Sequence, residues 1–125
     1  MFESIDEIRM FRKRFNGKMF LSGVPAFRQL ADVEEKVLQG GAIPAKDKEL
    51  IALGISVSHA CYGCIEYHVS RAIELGANRQ EIAEATAIAV ALRGSIADWP
   101  ARFVFKVMDE LAQGAQMEGD APASR

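Results

Sequence analysis

Apolar residues recur every three or four positions along most of the chain, and that period belongs to helices. Ile5, Ile8, Phe11 and Phe15 share one face of a first helix, expected over residues 3–15. Asn16-Gly17-Lys18 is expected to break it. Phe27, Leu30, Val33, Val37 and Leu38 stripe a second helix from about Pro25 to Leu38, closed by Gly40-Gly41. Pro44 suits a first helical turn, so a third helix should run from there to Ser58. Its Leu50, Ile51, Leu53, Ile55 and Val57 form a nearly continuous apolar set, which predicts a mostly buried helix. A fourth helix should begin near Cys61 and stop at Gly76. Asn78 and Glu81 have capping-box spacing and open a fifth, ending near Gly94. A last helix covers roughly Ile96 to Gln113, with Pro100 tolerated only in its first turn. Phe103 to Val107 has some β character, but its surroundings are helical. The expected fold is an all-α bundle of about six helices, with a Cys-x-x-Cys pair at the N-terminus of a central helix. Residues 1–113 read as a single domain and 114–125, small and polar, as a flexible tail.

Composition narrows the partners. The 125 residues suit one domain with its own core, and half of them are apolar. The net charge is -2 and no basic stretch interleaves with aromatics, which argues against nucleic acid. No apolar run is long enough to span a bilayer. The first ten residues place acids where a signal peptide needs a basic patch. The expected compartment is therefore the reducing cytoplasm. Two closely spaced cysteines there are more often catalytic or metal-binding than a structural staple. Five of the seven Phe lie in the first 27 residues. They read either as core, the commoner fate, or as a subunit interface. Trp99 reads as core.

Both cysteines and both histidines of the chain lie between Ser58 and Ser70. With Cys61 at the start of a helix, Cys64 sits in its first turn. His68 then lies one turn on, roughly 5–6 Å away between Cβ atoms. The positive helix end and the histidine both favour a thiolate at Cys64. A disulfide needs Cβ atoms about 3.8 Å apart. A cap residue is free of helical dihedrals, so Cys61 can close on Cys64 and open again. The expected division of labour has Cys64 attacking and Cys61 resolving. Glu49 reads on spacing alone as a solvated first-turn acid. Antiparallel packing of the third and fourth helices would instead bring it beside Cys64 and His68, where a carboxylate could pass protons. A thioredoxin-type motif would need a neighbouring βαβ pattern, and haem attachment would need histidine in place of Ile65. A zinc site could draw on His59, Cys61, Cys64 and His68, but the usual second ligand pair is missing. No metal and no cofactor are expected. His59 either lines the site or caps the third helix, and Tyr62 and Tyr67 read as packing or site wall.

Glu49, eleven residues, then Cys61-Tyr62-Gly63-Cys64-Ile65-Glu66-Tyr67-His68 resembles the core signature of the AhpD-like alkylhydroperoxidases, within the carboxymuconolactone decarboxylase superfamily. Glu74 to Gly94 is similar to the family's next helix, and the likeness covers about Leu21 to Leu111. The resemblance implies an all-helical subunit that assembles as a homotrimer or homohexamer. It implies thiol-dependent reduction of a small hydroperoxide or disulfide, with an outside dithiol or redox partner protein restoring the pair. By the same resemblance Cys64 is the peroxidatic thiol, Cys61 the resolving thiol, and Glu49 with His68 the proton relay. Gly63 departs from the pattern, because the AhpD proteins proper carry a second histidine there. The decarboxylases of the superfamily generally lack the cysteine pair. A lyase acting on a small cyclic acid is the alternative enzyme class, and a redox-sensing or zinc-holding module the non-enzymatic one.

Overall fold

The structure is a computed structural model that describes the backbone of residues 4–119 and the side chains of 4–115. Six helices and no strand occur among the described residues. They are α1 (Ile5–Phe20), α2 (Ala26–Leu38), α3 (Ala45–Ser58), α4 (Tyr62–Glu74), α5 (Arg79–Arg93) and α6 (Ser95–Gly119). None is long and apolar enough to cross a membrane. The expected all-α bundle is the observed one, and the differences lie at helix ends and on outer faces.

Local chemistry explains most boundaries. Ser4 caps α1 by accepting the Glu7 N–H, and Asp6 and Glu7 occupy the positive first turn. Asn16-Gly17-Lys18 does not break this helix, which continues to Phe20. One helical glycine costs only about 1 kcal/mol against alanine, too little to stop a helix that has further residues to bond. The C-terminus of α2 is closed by a side chain and not by the glycines that follow it. Lys48 Nζ donates to the carbonyls of Val37 and Gln39 at 2.8 and 2.7 Å. The capping box at Asn78 and Glu81 forms as its spacing predicts. Pro100 lies in the second turn of α6 and is buried. It cannot donate to the Ile96 carbonyl, yet the helix persists to Gly119, beyond the expected end near Gln113. The last part of the expected tail, 120–125, lies outside the described residues.

The core is shared by α3, α4, α5 and α6. Leu53, Val57, Ile65, Val69, Ile82, Val104 and Val107 are fully buried there, and α1 adds Ile5 and Ile8. Each such side chain contributes about 1.5–3 kcal/mol. The third helix is not mostly buried. Leu53 and Val57 face inward, while Ile51 and Ile55, four residues apart on another face, are each more than half exposed. Trp99 is 67% exposed, so it is not core. Phe11, Phe15 and Phe27 also lie at the surface of the subunit and are not core, Phe20 is half-buried, and Phe2 lies outside the described residues. No residue of α2 is buried, and Phe27, Leu30, Val33 and Val37 are exposed along it.

The turn between α3 and α4 spans only residues 59–61. Ala60 N–H donates to Val57 O and Cys61 N–H to Ser56 O, both at 3.0 Å. That is a Schellman closure, with the residue before Cys61 in the left-handed region. The same closure ends α4, where Gly76 N–H bonds Ile73 O and Ala77 N–H bonds Ala72 O. There the left-handed residue is Gly76, at φ 97°. In the α3–α4 turn it is Ala60, at φ 54°, the one described non-glycine with positive φ. A Cβ in that region costs about 1–2 kcal/mol. Ala60→Gly is expected to stabilise the protein by about 1 kcal/mol, visible as a rise of a few degrees in the thermal midpoint. A fall in the midpoint would contradict the strain assigned to Ala60.

Candidate functional site

Cys61 belongs to both ends of that turn. Its N–H closes α3, and its Sγ accepts the Cys64 N–H at 3.3 Å and so caps α4. Its own backbone is extended, outside helical dihedrals. The two cysteines are joined by a disulfide with 5.2 Å between Cα atoms, within the span that bridged cysteines adopt. The closure expected of a pair with one member at the cap is therefore what the fold holds.

His68 lies one turn beyond Cys64 on α4 and is buried, 8% exposed. Packing of α3 along α4 brings Glu49, also buried at 3% exposed, to its ring. His68 Nδ1 and Glu49 Oε2 are 2.6 Å apart. Glu49 is thus no solvated first-turn acid, and the other packing weighed for it is the one that occurs. Cys61, Cys64, His68 and Glu49 all line one open cleft of about 960 Å3. Its walls include Arg12 from α1 and Glu34 and Glu35 from α2. Gly63 lines it too, and a Cβ added there would meet nothing within 4 Å. Tyr67 lines the cleft, with its ring edge-on to that of His68. Tyr62 packs edge-on against Phe103 at the margin of the core. His59 caps α3 through its backbone, its side chain is exposed, and it is not among the cleft residues.

A second buried carboxylate on α4 has no counterpart in the expected site. Glu66, 1% exposed, sits two residues after Cys64. Arg9 Nε meets its Oε2 at 3.0 Å, Arg12 meets its Oε1 at 2.7 Å, and the Ser70 hydroxyl donates to Oε2 at 2.8 Å. Arg12 also donates to the Gly63 carbonyl at 2.8 Å, between the two cysteines, and lies over the Tyr67 ring. Burial is the largest influence on the Glu66 carboxyl and pushes its pKa up. Hydrogen bonds from Ser70, Arg12 and Arg9, with the Arg12 charge, outweigh it and hold the carboxyl below the ordinary range. A signal for this cluster was present in the sequence. Glu66 interrupts the apolar stripe of Ile65, Val69 and Ala72, and a charge on a buried face calls for a partner such as the Arg9/Arg12 pair.

A small helical bundle with a linked cysteine pair at a helix start, and a buried Glu–His pair beside it, defines a class of helical thiol proteins. The chain belongs to the carboxymuconolactone decarboxylase family, whose model matches residues 25–107. That family includes AhpD peroxidases as well as decarboxylases. An uncharacterized protein of Cupriavidus necator is 37% identical over 62 residues, half of this chain and 55% of that protein. The chain thus spans little more than half the length of that relative. A protein of the cox locus of Paracoccus denitrificans is 35% identical over 69% of this chain and 75% of its own length. Among solved structures, a Thermotoga maritima protein superposes with a TM-score of 0.83 at 30% identity, over 92% of this chain and 98% of that one. A carboxymuconolactone decarboxylase family protein of Legionella pneumophila superposes with a TM-score of 0.73 at 26% identity, over 84% and 96%.

The Glu66 cluster gives stability a direction with pH. A carboxyl held low in the folded state contributes stability above its unfolded pKa and loses it as pH falls through the folded value. Glu66→Gln should therefore cost about 1–3 kcal/mol at neutral pH and flatten the loss of stability below about pH 4. Urea denaturation across that range measures both. An unchanged acid limb in the variant would mean that other carboxylates control it.

Proposed function

We propose that this protein is a thiol-dependent oxidoreductase that reduces a small organic hydroperoxide or a disulfide. One observation carries the reading: a linked cysteine pair and a buried His68–Glu49 hydrogen bond meet in a single open cleft. With Glu49 ionised, His68 Nδ1–H donates to it and Nε2 keeps a lone pair for the proton of a thiol. An outside dithiol first reduces the pair to two thiols and is itself oxidised to a disulfide. Cys64 Sγ, with its proton passed to His68, attacks the terminal oxygen of the hydroperoxide. The O–O bond breaks, the alcohol leaves with the proton from His68, and Cys64 becomes a sulfenic acid. Cys61 Sγ then attacks Cys64 Sγ, water leaves, and the disulfide returns. The sum is two thiols and one hydroperoxide giving one disulfide, one alcohol and one water. A cleft of about 960 Å3 with mixed lining suits an organic substrate. The Thermotoga maritima neighbour has been suggested to take part in an antioxidative response, which supports the same direction. Retained turnover of a cyclic acid after both cysteines are changed to serine would favour a lyase instead.

In this reading the working form is a homotrimer or homohexamer. The exposed stripe of α2, and Ile51, Ile55, Ile88, Leu92 and Trp99 on α3, α5 and α6, are the apolar faces that assembly would cover. Sedimentation should show three or six chains, and a lone monomer at micromolar concentration would count against it.

Peroxide should convert the reduced protein to the Cys61–Cys64 disulfide. Cys61→Ser should accumulate a sulfenic acid at Cys64 that dimedone traps, read by mass spectrometry. Cys64→Ser should abolish turnover, and His68→Ala should slow it by about a hundredfold. Peroxide leaving both the wild type and Cys61→Ser unmodified would end the peroxidase reading.

A further inference from the structure

Two arginines of α1 converge on one buried carboxylate of the helix that carries the cysteines. Arg9, Arg12 and Glu66 together hold one positive charge in excess. Arg9 Nε and Arg9 Nη2 go to Glu66 and to the Ser70 hydroxyl, at 3.0 Å each. Of the two arginines only Arg12 is among the cleft residues. Its guanidinium donates to the Gly63 carbonyl at 2.8 Å while its other arm holds Glu66. We propose that Arg12 is the positioning residue of the thiol pair: it fixes the Cys61–Cys64 segment through the Gly63 carbonyl and sets the reduction potential by stabilising the Cys64 thiolate. Glu66 acts through Arg12, setting how much positive charge reaches the cleft.

The physical case is one of opposed charges in a half-buried site. A disulfide carries no charge, whereas a reduced pair at neutral pH carries part of one. Any cation held near Cys64 therefore favours the reduced state and makes the pair a stronger oxidant. Other charged groups face the same cleft: Glu34 and Glu35 from α2, Glu49 from α3, and His68 and Arg71 from α4. Glu49 is occupied by His68 and Arg71 by Glu74. Arg12 and Glu66 form the set that can be altered without touching the relay. An arginine suits the post because its planar fork serves a carboxylate and a carbonyl at once.

The inference rests on the redox reading of the cysteine pair, but its test needs no peroxide. The protein is equilibrated with reduced and oxidised glutathione, and the Cys61–Cys64 disulfide is quantified by alkylation. In that exchange two glutathione thiols become one glutathione disulfide, and the protein disulfide takes up two electrons and two protons. The thiolate fraction at Cys64 is followed separately by ultraviolet absorbance against pH. Arg12→Met should lower the thiolate fraction, and shift the glutathione equilibrium toward the disulfide by up to about tenfold, or roughly 30 mV. Glu66→Gln should shift both in the opposite sense, because it leaves the arginines unopposed. Arg12→Lys should recover part of the Arg12→Met change. Mere loosening of the α1–α4 contact would move all three variants the same way, and that outcome overturns the proposal. So does a wild-type potential in a folded Arg12→Met protein. If the potentials move as expected while no variant reduces peroxide, the oxidoreductase substrate is wrong and the role of Arg12 stands.

Discussion

A carboxylate taken out of water must be matched, and α4 is organised around two of them. Glu49 reaches it from α3 and meets His68 at 2.6 Å. Glu66 belongs to α4 itself and meets Arg9, Arg12 and Ser70. Left unpaired, either would cost several kcal/mol. Cys64 and His68 are four residues apart and share a face, while Glu66, midway between them, is turned to another side. One side of the helix therefore carries Cys64 and His68, and the other ties down α1.

That arrangement explains why α1 and α2 are held so differently. α1 buries Ile5 and Ile8 in the core and adds a charged clamp onto Glu66. α2 buries nothing, and Lys48 fastens its end through the carbonyls of Val37 and Gln39. Yet α2 supplies Glu34 and Glu35 to the cleft wall. A wall with so little of its own burial gains most from the assembly proposed above, in which another subunit covers its apolar stripe.

Periodicity made the helices legible, because 3.6-residue spacing is a property of the chain alone. It also showed which faces are apolar, but not what covers them. Ile51, Ile55 and Trp99 were expected inside for that reason and are found outside. Asn16-Gly17-Lys18 was expected to break α1 and Pro100 to lie in the first turn of the last helix, yet α1 runs through Gly17 and α6 holds Pro100 in its second turn. Packing and continued backbone bonding outweigh such costs, about 1 kcal/mol for the glycine and about 3 kcal/mol for the proline. The cysteine pair and His68 were legible because all three lie within eight residues of one helix start. Glu49 became legible only through a family spacing, since its partner is nineteen residues away. Glu66 and Arg12 belong to different helices, and no local rule joins residues 54 apart.

The place of the disulfide in the chain fits the redox role proposed for it. Cross-linking a loop this short removes little freedom from the unfolded chain, about 2 kcal/mol by loop-closure entropy. The backbone around it is already held without the sulfurs. Cys61 N–H bonds Ser56 O, and Ile65 N–H bonds the Cys61 carbonyl at 2.9 Å, so neither helix end is closed through a sulfur alone. Cys61 Sγ, which accepts the Cys64 N–H, is part of the cap of α4 as well as of the link. A link worth about 2 kcal/mol, with both helix ends closed by backbone bonds of their own, fits the redox role proposed above.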